Sequence, residues 1–351
     1  MKRLRSSALG DALGAILAVT LLCARIIGCS MHHNEATAGS DRPIPIERIK
    51  GDMRPLDISR PYPPTDAITQ YFAYYGLTFE GARHCFGTFD SGGRTLAAHI
   101  FIPEKPRGTF FLLHGYLDHS GTFKNMIAAC LQRNFAVAIY DLPGHGLSTG
   151  ESAAIDDFAE YTVTLQDFIG GFANRLPPPF HLIGHSLGAA IAYEYLYHAD
   201  PIPFEKIVFL APLVRSAGWR WSVVGYHLAK PFVDALPRMH RNNSSDPAFL
   251  AFIQQDPLQG HRLPIRFLDA LYAWNQRIQD YDVLAKPVLI VQGTDDAIVD
   301  WEYNIGFLEE NIRGSRVVLI EKGKHQLANE HLSMRQQLFQ TIFGYVASRT
   351  A

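Results

Sequence analysis

Cysteine is scarce in this chain: Cys23, Cys29, Cys85 and Cys130 are the four in 351 residues. No C-x-x-C pair and no His/Cys cluster occurs, which excludes the usual zinc and redox spacings, so no metal and no cofactor is expected. Cys23 and Cys29 fall in the N-terminal segment, and the two that remain cannot staple a disulfide scaffold. Cys85 and Cys130 are expected to be buried small residues ahead of a single disulfide, a choice that geometry decides. Charge is scarce too, at 19% of residues with a net of -2. Without an excess of positive charge, no nucleic-acid partner is expected. No internal repeat and no low-complexity run is present. The apolar run from Ala12 to Ala24 falls short of the roughly 20 residues that a membrane-spanning helix needs. What is plentiful is apolar surface: 47% of residues are hydrophobic and 12% aromatic. That suffices for one large α/β domain, or for a domain carrying an insertion.

The N-terminus reads as an export or anchoring segment. Lys2, Arg3 and Arg5 form a positive n-region ahead of the apolar run, the order of a signal peptide. Ile26-Ile27-Gly28-Cys29 then resembles a lipobox, which makes Cys29 the lipidation candidate. Arg25 departs from that pattern. Cleavage after Ala36-Thr37-Ala38, or an uncleaved anchor with Arg25 at the interface, are the alternatives. All three place the body outside the cytoplasm and make a membrane surface its partner. Residues 30–66 are polar and marked by Pro43, Pro45, Pro55, Pro61, Pro63 and Pro64. They read as a linker, either a partly extended tether or an arm draped on the body.

The body is organised around Phe180-His181-Leu182-Ile183-Gly184-His185-Ser186-Leu187-Gly188-Ala189-Ala190. An apolar strand enters G-x-S-x-G and leaves as an alanine-rich helix, the pattern of a nucleophile elbow with Ser186 at its tip. A sharp strand-to-helix turn needs residues without side chains on either side of the serine. The helix N-terminus aims free N–H groups at any anion formed there, the Leu187 amide first among them. Ala82 to Phe89 and Arg94 to Ile102 predict a hairpin across Asp90-Ser91-Gly92-Gly93. Buried strands are predicted at residues 108–113, 135–140, 206–210, 287–292 and 317–320. Helices are predicted to about Gln132, over 152–173, from Leu187 to about Tyr197, and over 332–346. Strands alternating with helices predict a mostly parallel sheet covered on both faces, with ligands at the strand ends. Residues 213–283 break this rhythm and hold Trp219, Trp221 and Trp274, three of the four tryptophans. They predict a helical cap with its own aromatic core, or a lid over the serine. The domain plan is therefore 1–29, 30–66, a core of 67–212 with 284–351, and the cap 213–283.

Over residues 70–348 the chain resembles the α/β-hydrolases, and within them the monoacylglycerol lipase and lysophospholipase group. The resemblance rests on His114-Gly115-Tyr116 with His119-Ser120, on Asp141 to Ser148, and on the elbow. It also rests on Gly293-Thr294-Asp295-Asp296 and on Gly323-Lys324-His325. It implies the α/β-hydrolase fold with a helical cap, and a carboxylester substrate, a lysophospholipid or monoacylglycerol. A peptidase, a small-ester hydrolase or a non-catalytic surface lipoprotein of this fold are the competing readings. It further implies His325 as the base and, through its Gly-x-x-Asp pattern, Asp296 as the acid ahead of Asp295 and Asp300. The order Ser186, Asp296, His325 is that of the fold. The resemblance gives Tyr116 as the second oxyanion donor beside Leu187. His114, His119 and His145 are expected to hold loops, and Glu330 to be structural.

Overall fold

The computed structural model describes residues 44–238 and 241–348. Cys29 and the N-terminal segment therefore lie outside the described residues. The core is an eight-stranded sheet in the order β1-β2-β4-β3-β5-β6-β9-β10. Its strands are β1 Ala82–Ser91, β2 Arg94–Pro103, β3 Thr109–Leu113, β4 Ala136–Tyr140, β5 Phe180–His185, β6 Phe204–Leu210, β9 Leu289–Gly293 and β10 Arg316–Ile320. The β1–β2 hairpin pairs antiparallel and joins β4 antiparallel. Every other pairing is parallel. Successive side chains on a strand point to opposite faces, so each central strand feeds two cores. Phe111, Leu182, Ile207 and Ile290 lie in one core, Phe110, Ile183, Val208 and Leu289 in the other. Burial on both faces is why these strands read as continuous apolar runs.

Six helices accompany this sheet: α2 Asp66–Tyr75, α3 Lys124–Leu131, α4 Ala159–Phe172, α5 Leu187–His198, α9 Trp301–Asn311 and α10 Leu332–Ala347. The predicted helix over 152–173 starts only at Ala159. Asp157 Oδ1 accepts the Ala159 amide at 2.8 Å and Glu160 Oε1 accepts the Asp157 amide at 3.1 Å. That reciprocal cap stops the helix from running back toward Ser152. The sequence pattern predicts no helix over Asp66–Tyr75, although its ends carry the usual signals. Thr65 Oγ1 accepts the Ile68 amide, and Gly76 closes the helix at φ 65.

The chain from Ile44 to Thr65 is not a tether. A short helix, α1 Ile46–Asp52, packs Ile49 into one core, and Leu56 and Ile58 are buried in the other. Arg54 to Leu56 lie along β1, where the Thr88 amide gives to Arg54 O and the Leu56 amide to Thr88 O, both at 2.8 Å. Gly87 permits this approach, since a Cβ there would meet Leu56 backbone at 2.8 Å. The proline-rich composition masked four apolar residues, Ile46, Ile49, Leu56 and Ile58, that carry the packing.

Between β6 and β9 the insertion holds α6 Trp219–Ala229, α7 Pro247–Gln255 and α8 Ile265–Arg277. It also holds a two-stranded ribbon of β7 Ala235–Pro237 and β8 Arg262–Pro264, an addition to the purely helical insertion expected. Its aromatics do not form one core. Trp274 is fully buried in the main core and gives its indole N–H to Glu194 Oε2 at 2.9 Å. Trp221 and Phe232 instead stand 80% and 78% exposed.

Candidate active site

Ser186 sits between β5 and α5 with φ 53 and ψ -114, a region that non-glycine residues rarely enter. The neighbouring glycines explain how the turn is possible. A Cβ on Gly184 would collide with the Gly188 carbonyl, and one on Gly188 with the Leu113 carbonyl at the end of β3. Strand, helix and neighbouring strand therefore touch backbone to backbone. The Ser186 amide gives to Leu210 O at 2.9 Å, and its carbonyl accepts the Ala189 and Leu213 amides. The backbone holds the turn, and the side chain is left out of it.

The loop after β3 lies directly over the serine. A Cβ on Gly115 would stand 3.3 Å from Ser186 Cβ and 3.0 Å from His185 Nδ1. This brings Tyr116 beside the elbow. Among the described residues, neither the Tyr116 nor the Leu187 amide is consumed by a turn or cap. The Tyr116 side chain is not idle: its ring stacks on Phe267 of α8 at 3.7 Å and its hydroxyl gives to Ala153 O at 2.8 Å.

Of the three candidate carboxylates, Asp296 is the one that meets His325. Its Oδ2 accepts from His325 Nδ1 at 2.8 Å and from Gln292 Nε2 at 3.0 Å. Its Oδ1 accepts the Ile298 and Val299 amides at 2.8 and 3.3 Å. Burial acts to raise the Asp296 carboxyl, but His325 and these donors outweigh it and hold it below the usual carboxylate range. The carboxylate fixes the ring proton on Nδ1 and leaves Nε2 as a bare lone pair, the form a general base needs. Asp295 is exposed, with its amide tied to Gly323 O. Asp300 leads into α9.

The loop carrying His325 is held from several directions. His185 Nε2 gives to His325 O at 3.0 Å, a supporting role that adjacency to the serine did not suggest. Glu330, fully buried, accepts the Lys324 amide and the Ser245 amide, each at 2.7 Å. His114 joins two strand ends, with Nδ1 giving to Gly115 O at 2.8 Å and Nε2 accepting the Leu142 amide at 2.9 Å. His145 Nδ1 gives to Pro143 O at 2.9 Å. His119 turns instead to Asp256 in the insertion, at 2.8 Å.

Burial pushes His145 down to about 3 and His185 down to about 4, from 6.5. Both stay uncharged in the fold, whereas the unfolded chain takes up protons below about pH 6.5. In that window the unfolded state binds more protons, so stability rises with pH and falls on acidification. Each histidine adds a slope of about 1.4 kcal/mol per pH unit. Thermal melting is therefore expected to drop steadily from pH 6.5 to pH 4, and a melting temperature flat over that range contradicts the assignment.

A mostly parallel eight-stranded sheet with a serine at the β5–α5 turn and a histidine–aspartate pair after β9 and β10 defines an α/β-hydrolase. Residues 104–331 match the family described as serine aminopeptidase, S33, and the chain belongs to it. It is similar to the monoacylglycerol lipase of Mycolicibacterium smegmatis, 26% identical over 72% of this chain and 88% of that protein. Among solved structures, it aligns with a soluble variant of monoglyceride lipase from Saccharomyces cerevisiae. That match has a TM-score of 0.66 and 18% identity, and covers 83% of this chain and 100% of the other. The Paleococcus ferrophilus monoacylglycerol lipase aligns with a TM-score of 0.62 and 20% identity, over 72% and 98%.

Proposed function

We propose that this protein is a serine carboxylester hydrolase that cleaves monoacyl lipids, with residues 213–283 as a cap over its site. The observation that carries the reading is the His325–Asp296 pair at 2.8 Å, in the fold that puts Ser186 on a strained elbow. Ser186 Oγ attacks the ester carbonyl carbon while His325 Nε2 takes its proton. Asp296 balances the imidazolium that results. The carbonyl oxygen becomes an oxyanion and is met by the Tyr116 and Leu187 N–H groups. The C–O bond to the alcohol breaks, and His325 returns the proton to the leaving oxygen. Water repeats the cycle on the acyl-serine and releases a fatty acid.

A lipid substrate is supported by the relatives named as monoacylglycerol and monoglyceride lipases and by the aromatic insertion beside the site. Monoacylglycerol is the favoured substrate on the same ground. With p-nitrophenyl esters of increasing chain length, kcat/KM is expected to rise from acetyl to medium and long acyl chains. Monoolein is expected to be hydrolysed faster than lysophosphatidylcholine. A preference for acetyl esters, or faster cleavage of aminoacyl amides than of any ester, contradicts the proposal.

A further inference from the structure

Leu117 has φ 60, a conformation that costs any residue with a Cβ. It directly follows Tyr116, so holding it anchors the chain on the C-terminal side of the Tyr116 amide. Such strain persists only where the surroundings over-determine it. Here the surroundings are the insertion. Leu117 is 8% exposed, and its side chain lies so close to Gly260 that a Cβ there would collide with it. Asp118 Oδ1 accepts from Gln259 Nε2 at 3.4 Å. His119 Nε2 gives to Asp256 Oδ2 at 2.8 Å, with both side chains fully buried. The Gly121 amide gives to His119 Nδ1 at 3.1 Å, which leaves the Nε2–H of the same ring to Asp256. The strut itself is braced. Tyr75 of α2 gives its hydroxyl to Asp256 Oδ1 at 2.6 Å, and Arg238 binds Gln259 Oε1 at 2.8 Å and Gly260 O at 3.0 Å. Asp118 Oδ2 also accepts from Gln326 Nε2 at 3.1 Å, which ties the same loop to the residue after His325.

We infer that residues 256–260 of the insertion are a clamp on the oxyanion loop, with Asp256 a positioning residue that acts through His119 to aim the Tyr116 N–H. The inference rests on the serine-hydrolase reading above. On it, the insertion does more than cover the serine: three consecutive residues of the loop are held by three residues of one insertion segment. Loosening the segment moves an oxyanion donor while Ser186, His325 and Asp296 stay in place.

The test compares the full chain with Asp256→Ala and His119→Gln, using a p-nitrophenyl ester and a phenylboronic acid inhibitor. The boronate adduct on the serine places an oxygen between the two amides. Active-site titration with a fluorophosphonate corrects each rate for the folded fraction. Asp256→Ala is expected to lower kcat about 10- to 100-fold, within reach of losing one oxyanion donor, with KM changed less than about 2-fold. Boronate affinity should fall by a similar factor. His119→Gln keeps a donor for Asp256 and should retain most of the wild-type kcat. If Asp256→Ala does not fold, Gln259→Ala removes a neutral contact of the same clamp and should show the same pattern at smaller size. An unchanged kcat, a rise in KM alone, or a kcat loss without a loss of boronate affinity overturns the clamp. The two readings separate cleanly. Turnover surviving in Ser186→Ala ends the serine-hydrolase reading, whereas a dead Ser186→Ala beside a fully active Asp256→Ala ends only the clamp.

Discussion

Ser186→Ala is expected to lower ester turnover by about 10⁵- to 10⁶-fold, to the small rate that binding and the oxyanion donors support without a nucleophile. The size follows from what is removed. No other oxygen stands at the tip of the elbow, so loss of Oγ removes the covalent step itself. The fold should not notice. The turn is held by the Ser186 amide on Leu210 O and by its carbonyl under the Ala189 and Leu213 amides. Alanine keeps both and carries the same strain at φ 53. Melting should therefore stay close to wild type while kcat collapses and substrate affinity holds. The measurement is kcat on a p-nitrophenyl ester beside a melting curve. More than about 1% residual activity, in a preparation free of contaminating esterase, contradicts the role given to this serine.

Asp296→Asn is expected to cost about 10⁴-fold in kcat with little change in KM. The physical cause is a proton in the wrong place. Asp296 Oδ2 accepts from His325 Nδ1 and from Gln292 Nε2. An asparagine amide nitrogen at that position would offer a donor to a donor. The imidazole then moves its proton to Nε2, and that nitrogen can no longer act as a base. The oxygen of asparagine can still accept the Ile298 and Val299 amides, so stability should fall much less than activity. Asp295→Asn is the control, since Asp295 is exposed, and its kcat should stay within about 2-fold. A large loss in Asp295→Asn, or less than about a 10-fold loss in Asp296→Asn, contradicts the pairing.

Much of this molecule was legible in its sequence, for identifiable reasons. The parallel strands were readable because burial on both faces demands unbroken apolar runs. The elbow was readable because backbone contact on both sides of Ser186 demands glycine. Asp296 and Asp295 are adjacent and chemically identical, so composition cannot separate them. The pattern of the resembled family favoured Asp296, and in the fold Asp296 alone of the two reaches His325. Other features left no local trace. The arm from Ile44 to Thr65 packs through single apolar residues set among prolines, and neither periodicity nor run length marks them. Asp256 and His119 stand 137 positions apart, and only folding makes them partners. His185 looked like a bystander beside the serine because its bond to His325 O spans 140 positions. The distance from residue to role is shortest where backbone geometry dictates the residue type. It is longest where a side chain serves another through space.

The central claim is that the nucleophile of this protein is Ser186. Its most direct test is the intact mass of the wild type and of Ser186→Ala after exposure to a fluorophosphonate, followed by peptide mapping. A single adduct on the wild-type peptide containing Ser186, and none on the variant, is the predicted result. An adduct on another residue, or one retained by Ser186→Ala, would contradict it.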